Sequence, residues 1–246
     1  MVKLEICCCD FNSLVAACEG GADRVELCCA LGEDGLTPSA GFLEQSQQID
    51  IVRNVLIRPR GGNFVYSDDE LRLMEADIRF AHKMGAHGIV TGALKTTGEI
   101  DTEAMRRLID AADGLPVTFH RAIDQCRCIR EDAKTVVELG CKRLLTSGTA
   151  GTALVGIPLL KCMQKEWGDD LEIIAAGNVR PDNVVRIVSE TGVAAFHSSA
   201  STEIIVSSPD GADHCKSSPA LRTTFCHRQT DAAIVSQLRH LLDTME

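Results

Sequence analysis

Short β-rich runs alternate with longer segments of helical period eight times along this chain, and that rhythm leaves few folds open. The runs are residues 4–8, 24–28, 55–58, 88–91, 116–120, 143–146, 172–176 and 194–197. Among the intervening segments, 69–84 carries Leu71, Met74, Ile78 and Ala81 at three- and four-residue steps, the mark of an amphipathic helix. Ser67-Asp68-Asp69-Glu70 puts acidic residues at its start, and Gly85 stands where a left-handed cap ends a helix. Similar patterns cover 102–112, 130–139, 153–167, 181–190 and 231–243. Gly21, Gly85, Gly114, Gly140 and Gly192 each precede a strand, as in loops that lead from helix to strand. Eight βα units in 246 residues predict an α/β protein of the (β/α)8 TIM-barrel type, with residues 1–246 as one domain. A doubly wound open sheet fits less well, because the last unit is complete and no G-x-G-x-x-G follows the first strand. The rhythm breaks only at 198–230, a Ser- and Pro-containing stretch expected to form a long loop or lid at the C-terminal face.

Charge and composition narrow the partners. A net charge of -10 argues against nucleic acid, whose phosphates need a basic footprint. No apolar run approaches the ~20 residues that span a bilayer, so no membrane association is expected. The start, Met1-Val2-Lys3-Leu4-Glu5, lacks the apolar stretch of a signal peptide, which points to a cytoplasmic protein. In that setting the twelve cysteines are reduced thiols rather than a disulfide framework. Their spacing builds no zinc module. A homo-oligomer is compatible with the sequence, which does not specify one.

Barrel chemistry sits at the C-terminal ends of the strands. Leu4-Glu5-Ile6-Cys7 and Val25-Glu26-Leu27-Cys28 each place a carboxylate and a thiol two residues apart, hence on one face of a strand. If that face is the interior, Glu5, Cys7, Glu26 and Cys28 form a block on two adjacent strands. Carboxylates there need partners, and Arg58, Arg60 and Arg121 are the expected cations. The fifth strand ends in His120 and Arg121, with Asp124 a turn later, so Glu5, Glu26, His120 and Asp124 are candidates for proton transfer. Ser147-Gly148, Gly177-Asn178 and His197-Ser198 follow later strands, and with the three arginines they are candidates for binding an anion. The competing reading is a Glu/Arg lattice that fills the barrel, with small residues that only cap turns. For the thiols, Cu(I) prefers soft ligands, so Cys7 and Cys28 are a candidate low-coordinate site and Cys126-Arg127-Cys128 a second. Cys8, Cys18, Cys29, Cys141 and Cys162 read as small hydrophobes.

Several of these stretches together resemble the copper homeostasis protein CutC family. They are Leu4-Glu5-Ile6-Cys7, the run from Gly21 to Cys28, Gly35-Leu36-Thr37-Pro38-Ser39, Ile57-Arg58-Pro59-Arg60-Gly61-Gly62 with Tyr66-Ser67-Asp68, Val117-Thr118-Phe119-His120-Arg121-Ala122, Leu144-Leu145-Thr146-Ser147-Gly148 and His197-Ser198-Ser199-Ala200. The resemblance implies a (β/α)8 barrel and a cytoplasmic role in copper handling, with Cu(I) at the cysteines matching Cys7 and Cys28. The chain departs from the family pattern at Ser201, where arginine is expected, and at Leu221-Arg222-Thr223-Thr224-Phe225, which makes Arg222 and Arg228 the substitute cations. Cys8, Cys9, Cys29, Cys126 and Cys128 lie outside the shared pattern. Two classes of function remain: a copper-binding homeostasis protein, whose partner is the copper ion, and an enzyme acting on a small anionic or phosphorylated metabolite at the barrel mouth.

Overall fold

The computed structural model describes residues 2–205 and 226–245. Eight parallel strands, β1 (Lys3–Cys8), β2 (Arg24–Leu27), β3 (Val52–Leu56), β4 (Gly88–Thr91), β5 (Val117–Phe119), β6 (Arg143–Thr146), β7 (Glu172–Ala175) and β8 (Ala195–Ser198), close a barrel in sequence order. Around it run α1 (Phe11–Glu19), α2 (Ala40–Ser46), α3 (Asp68–Lys83), α4 (Thr102–Ala111), α5 (Ile129–Glu138), α6 (Ile157–Trp167), α7 (Val184–Thr191) and α8 (Ala232–Asp243). The expected (β/α)8 architecture is therefore present.

Local chemistry sets the helix ends. Ser67 accepts from the Glu70 N–H while the Glu70 carboxylate accepts from the Ser67 N–H, a reciprocal cap that fixes the start of α3. At the other end Gly85 takes φ 75°, the left-handed region glycine enters without a Cβ clash. Leu71, Met74, Ile78 and Ala81 are the buried residues of α3, as their spacing requires. The main core lies between sheet and helices, where Leu4, Ile6, Cys8, Val25 and Leu27 face outward from the strands.

Two differences between the strands read from the sequence and those of the structure bear on the site. Strand β3 starts at Val52 rather than residue 55, because the polar Arg53 and Asn54 belong to it. The stretch 198–230 is not simply a loop: β9 (Ser201–Ile205) and β10 (Cys226–Thr230) pair antiparallel. Residues 206–225, including Arg222, lie outside the described residues. No helix among the described residues is long and apolar enough to cross a membrane.

Candidate functional site

Strand alternation builds the interior. Glu5 and Cys7 of β1 point into the barrel, as do Arg24 and Glu26 of β2, because their odd-even partners fill the outer core. Closure then sets β8 against β1. Glu5 lies in register with Arg24 on one side and with His197 on the other. One Glu5 oxygen accepts from Arg24 Nε at 2.8 Å and from Asn54 Nδ2 at 2.8 Å. The other lies 2.8 Å from His197 Nδ1. Burial would push this carboxyl up, but the His197 hydrogen bond, the Arg24 charge and Asn54 outweigh it and hold its pKa at about 2. Arg24 reaches on to Glu172 at 2.6 Å, so an ion-pair chain runs down the barrel toward the N-terminal ends of the strands.

Glu26 stands in a different environment. It is 5 % exposed, and its Oε2 has no hydrogen-bond partner among the described residues. Burial pushes its carboxyl up to about 8, so at neutral pH it holds a proton. The cations expected for these carboxylates are engaged elsewhere. Arg58 donates to the carbonyls of Glu33, Gly35 and Gly62 and lies over the Phe64 ring at 4.9 Å. Arg60 bonds Glu70 and stacks on Tyr66, lining a separate surface pocket. Arg121 bonds Asp124 at 3.0 Å. These three follow the strands in loops, whereas Arg24 sits within β2 in register with Glu5. The barrel carboxylate is thus partnered from its own layer.

His120 and Asp124 do not form an acid-base pair. His120 is 4 % exposed; its Nδ1 accepts from the Ala122 N–H at 3.3 Å, which leaves the proton on Nε2, and Nε2 has no partner among the described residues. Burial, then the Arg58 charge, lowers its pKa to about 3, so the ring is neutral. Asp124 instead takes the Ser147 N–H at 3.0 Å, the Ser147 hydroxyl at 2.8 Å, the Thr149 N–H at 3.2 Å and the Thr146 hydroxyl. The loop after β6, expected to meet a ligand anion, already holds a carboxylate of its own chain. The Gly148 N–H is likewise engaged, by the Thr146 hydroxyl at 2.9 Å. After β7, Asn178 holds φ 54° and its carbonyl accepts from Asn183 at 2.9 Å. The Ser198 hydroxyl donates to the Val179 carbonyl at 2.7 Å. Gly177, Asn178, His197 and Ser198 border a pocket of about 400 Å³ together with Arg180 and Arg228.

A cavity of about 380 Å³ opens at the mouth, lined by Cys7, Glu26, Cys28, Arg58, His120 and His197 among others. Cys7 and Cys28 pack with Leu56 and Val90 into one apolar patch. A hydrogen bond from Cys28, and after it His197, holds the Cys7 thiol well below its usual range despite burial; the same bond pushes Cys28 up. Hydrogen bonds to Cys7 and Glu5 and the nearby Glu26 raise His197 against the opposing effect of burial. Cys126 turns its thiol back on the Ala122 carbonyl at 3.7 Å, and Cys128 is exposed. Ligand atoms of Glu5, Glu26 and His197 lie within 4.8 Å of one another.

Sequence reasoning missed Arg24 and Asn54, and it read His197 with the loops rather than with Glu5. Period-two alternation from Glu26 back to Arg24 was available as a signal. The pairing of His197 with Glu5 depends on closure between strands 192 residues apart, which no local pattern encodes.

Residues 2–202 match the CutC family. A CutC family protein of Bacteroides thetaiotaomicron is 45% identical over 204 residues, covering 82% of each chain. A human relative, named copper homeostasis protein cutC homolog, is 44% identical over 200 residues, 80% of this chain and 72% of that one. The crystal structure of CutC from Streptococcus agalactiae superposes with a TM-score of 0.78 at 35% identity, over 81% of this chain and 99% of that one. Thiamine phosphate pyrophosphorylase from Pyrococcus furiosus, at 14% identity and a TM-score of 0.59, shares the fold alone. Matched along the barrel by the family and by relatives at this level of identity, the chain belongs to the CutC family.

Proposed function

We propose that this protein serves copper homeostasis by holding Cu(I) between Cys7 and Cys28 at the barrel mouth. The observation that carries the reading is the placement of two thiols from adjacent strands in one cavity wall, backed by Leu56 and Val90. Cu(I) favours soft sulfur in few-coordinate sites, and an apolar wall keeps competing water away. The Cys28 hydrogen bond that lowers the Cys7 thiol favours sulfur donation from Cys7, and metal binding at the pair releases thiol protons. The raised His197, held by Glu5, places positive charge beside the two sulfurs. A reducing, cytoplasmic location is part of this reading, because thiol ligands and Cu(I) persist together only where thiols stay reduced.

Competition with a Cu(I) chelator tests the reading, using reduced protein and the Cys7→Ser, Cys28→Ser double variant. The expected result is at least a tenfold loss of affinity in the variant. Equal affinities would overturn it.

A second reading is favoured by a different observation. Glu26 Oε2 and His120 Nε2 are buried, lack partners among the described residues, and belong to residues lining the same cavity. Buried polar groups are rarely left so unless something binds them. The reading is a small anionic metabolite whose oxygens accept from the His120 N–H and the Glu26 hydroxyl. A thermal-shift screen of carboxylates and phosphate esters tests it: at least one should stabilise the wild type but not His120→Ala. If none does, the second reading fails.

A further inference from the structure

The third thiol at the mouth has no role in either reading. Cys9 Sγ lies 3.3 Å from Cys28 Sγ. The register explains this approach: Cys8 pairs with Leu27, so the next residues, Cys9 and Cys28, stand opposite each other. The ladder continues to this level, because the Cys28 N–H donates to the Cys8 carbonyl at 3.0 Å. Neighbouring strands lie about 4.8 Å apart, inside the span of about 4.4–6.8 Å over which two Cα atoms accept a disulfide. Cys28 is 1 % exposed whereas Cys9 is half-buried at the rim, so a solute reaches Cys9 first.

We propose that Cys9 and Cys28 are a site of reversible oxidation, joined as a disulfide by hydroperoxides. In the first step Cys9 sulfur attacks the peroxide O–O bond, giving a sulfenic acid and releasing water from hydrogen peroxide or an alcohol from an organic peroxide. In the second, Cys28 sulfur attacks the sulfenic sulfur; the S–S bond forms, the S–O bond breaks, and the hydroxyl leaves as water with the Cys28 proton. Two equivalents of a small thiol restore both cysteines: the first opens the disulfide as a mixed disulfide, the second displaces it, and the two leave joined as their own disulfide, having given up two electrons. The consequence for the metal rests on the copper reading above: the disulfide consumes one of the two sulfurs proposed to hold Cu(I), so oxidation ejects the ion.

Metal-free, reduced protein is treated with hydrogen peroxide, remaining thiols are alkylated, and peptides are mapped by mass spectrometry with and without dithiothreitol. The expected product is a dithiothreitol-sensitive link between the Cys9 and Cys28 peptides, absent in Cys9→Ser, where Cys28 stays open to alkylation. No link, a link from Cys28 to Cys7 in the wild type, or irreversible oxidation of Cys9 alone would overturn the proposal. Cu(I) affinity is then measured on the oxidised and re-reduced samples, with at least a tenfold difference expected in the wild type and none in Cys9→Ser. A disulfide that forms without changing Cu(I) affinity, in a protein whose Cys7→Ser, Cys28→Ser variant also binds normally, sinks the copper reading and leaves the oxidation site standing. The loss of Cu(I) binding in that double variant with no disulfide in the wild type does the reverse.

Discussion

Glu26→Gln should make this protein more stable, and increasingly so as the pH rises. The Glu26 carboxyl is buried, its Oε2 has no hydrogen-bond partner among the described residues, and burial pushes it up to about 8 from an ordinary value of 4.5. Between those two values the folded chain keeps the proton and the unfolded chain has lost it. Folding therefore takes up a proton, and a group of this kind subtracts stability as pH climbs, by about 1.4 kcal/mol per pH unit. From about pH 5 to about pH 8 the loss sums to about 4 kcal/mol, which corresponds to roughly 10 °C in Tm for a chain of this size. Glutamine keeps the shape of the protonated acid and removes the titration. Urea unfolding of both proteins under reducing conditions, across that range, reads the effect directly. Near pH 5 the curves should nearly coincide, and near pH 8 the variant should be ahead by several kcal/mol, about 4 from the pKa values. Parallel pH profiles, or a variant less stable at the alkaline end, would refute an unpartnered protonated carboxyl at this position.

Glu5 should behave oppositely. Its pKa of about 2 lies below the ordinary 4.5, so the stability it contributes is complete above 4.5 and is lost as pH falls through 2. Glu5→Ala should cost about 3–5 kcal/mol in urea unfolding at neutral pH, because it takes the buried acceptor from Asn54 and His197 and leaves Arg24 with Glu172 alone; a cost under ~1 kcal/mol would contradict the ion-pair geometry. Asp124→Ala should cost about 2–3 kcal/mol and speed amide exchange at Ser147 and Thr149, which lose their acceptor. His120, with a pKa of about 3, should show no imidazole titration by NMR above about pH 5 and should carry its proton on Nε2 throughout.

The architecture was legible in the sequence because each strand and each long helix carries its own period. Helices α1 and α2 were not among the segments read as helical; they are short, and α2 spans only seven residues, too few for a period to emerge. The start of β3 was obscured by Arg53 and Asn54, polar residues that a strand tolerates here only because Asn54 finds Glu5 inside the barrel and Arg53 reaches the Ser46 and Ile49 carbonyls outside it. The block of Glu5, Cys7, Glu26 and Cys28 followed from alternation alone. What alternation does not carry is register. The Arg24, His197 and Cys9 contacts all depend on which residue stands across the ladder, and the engagement of Arg58 and Asp124 by backbone groups depends on loop paths that residue types do not reveal.

The Glu5–His197 contact ties the first strand of the barrel to the last, and this bears on how the chain assembles. As synthesis proceeds, β1 is an edge with its hydrogen-bonding groups open until β8 arrives. An inward-pointing carboxylate on such an edge discourages it from zipping onto a strand of another molecule, since that pairing would bury Glu5 with no cation from the far side. Once His197 docks, the same carboxylate gains a partner at 2.8 Å and rewards only the correct closure. A charge that looks costly in the finished barrel thus serves the unfinished one as protection against aggregation and as a latch specific for its own eighth strand.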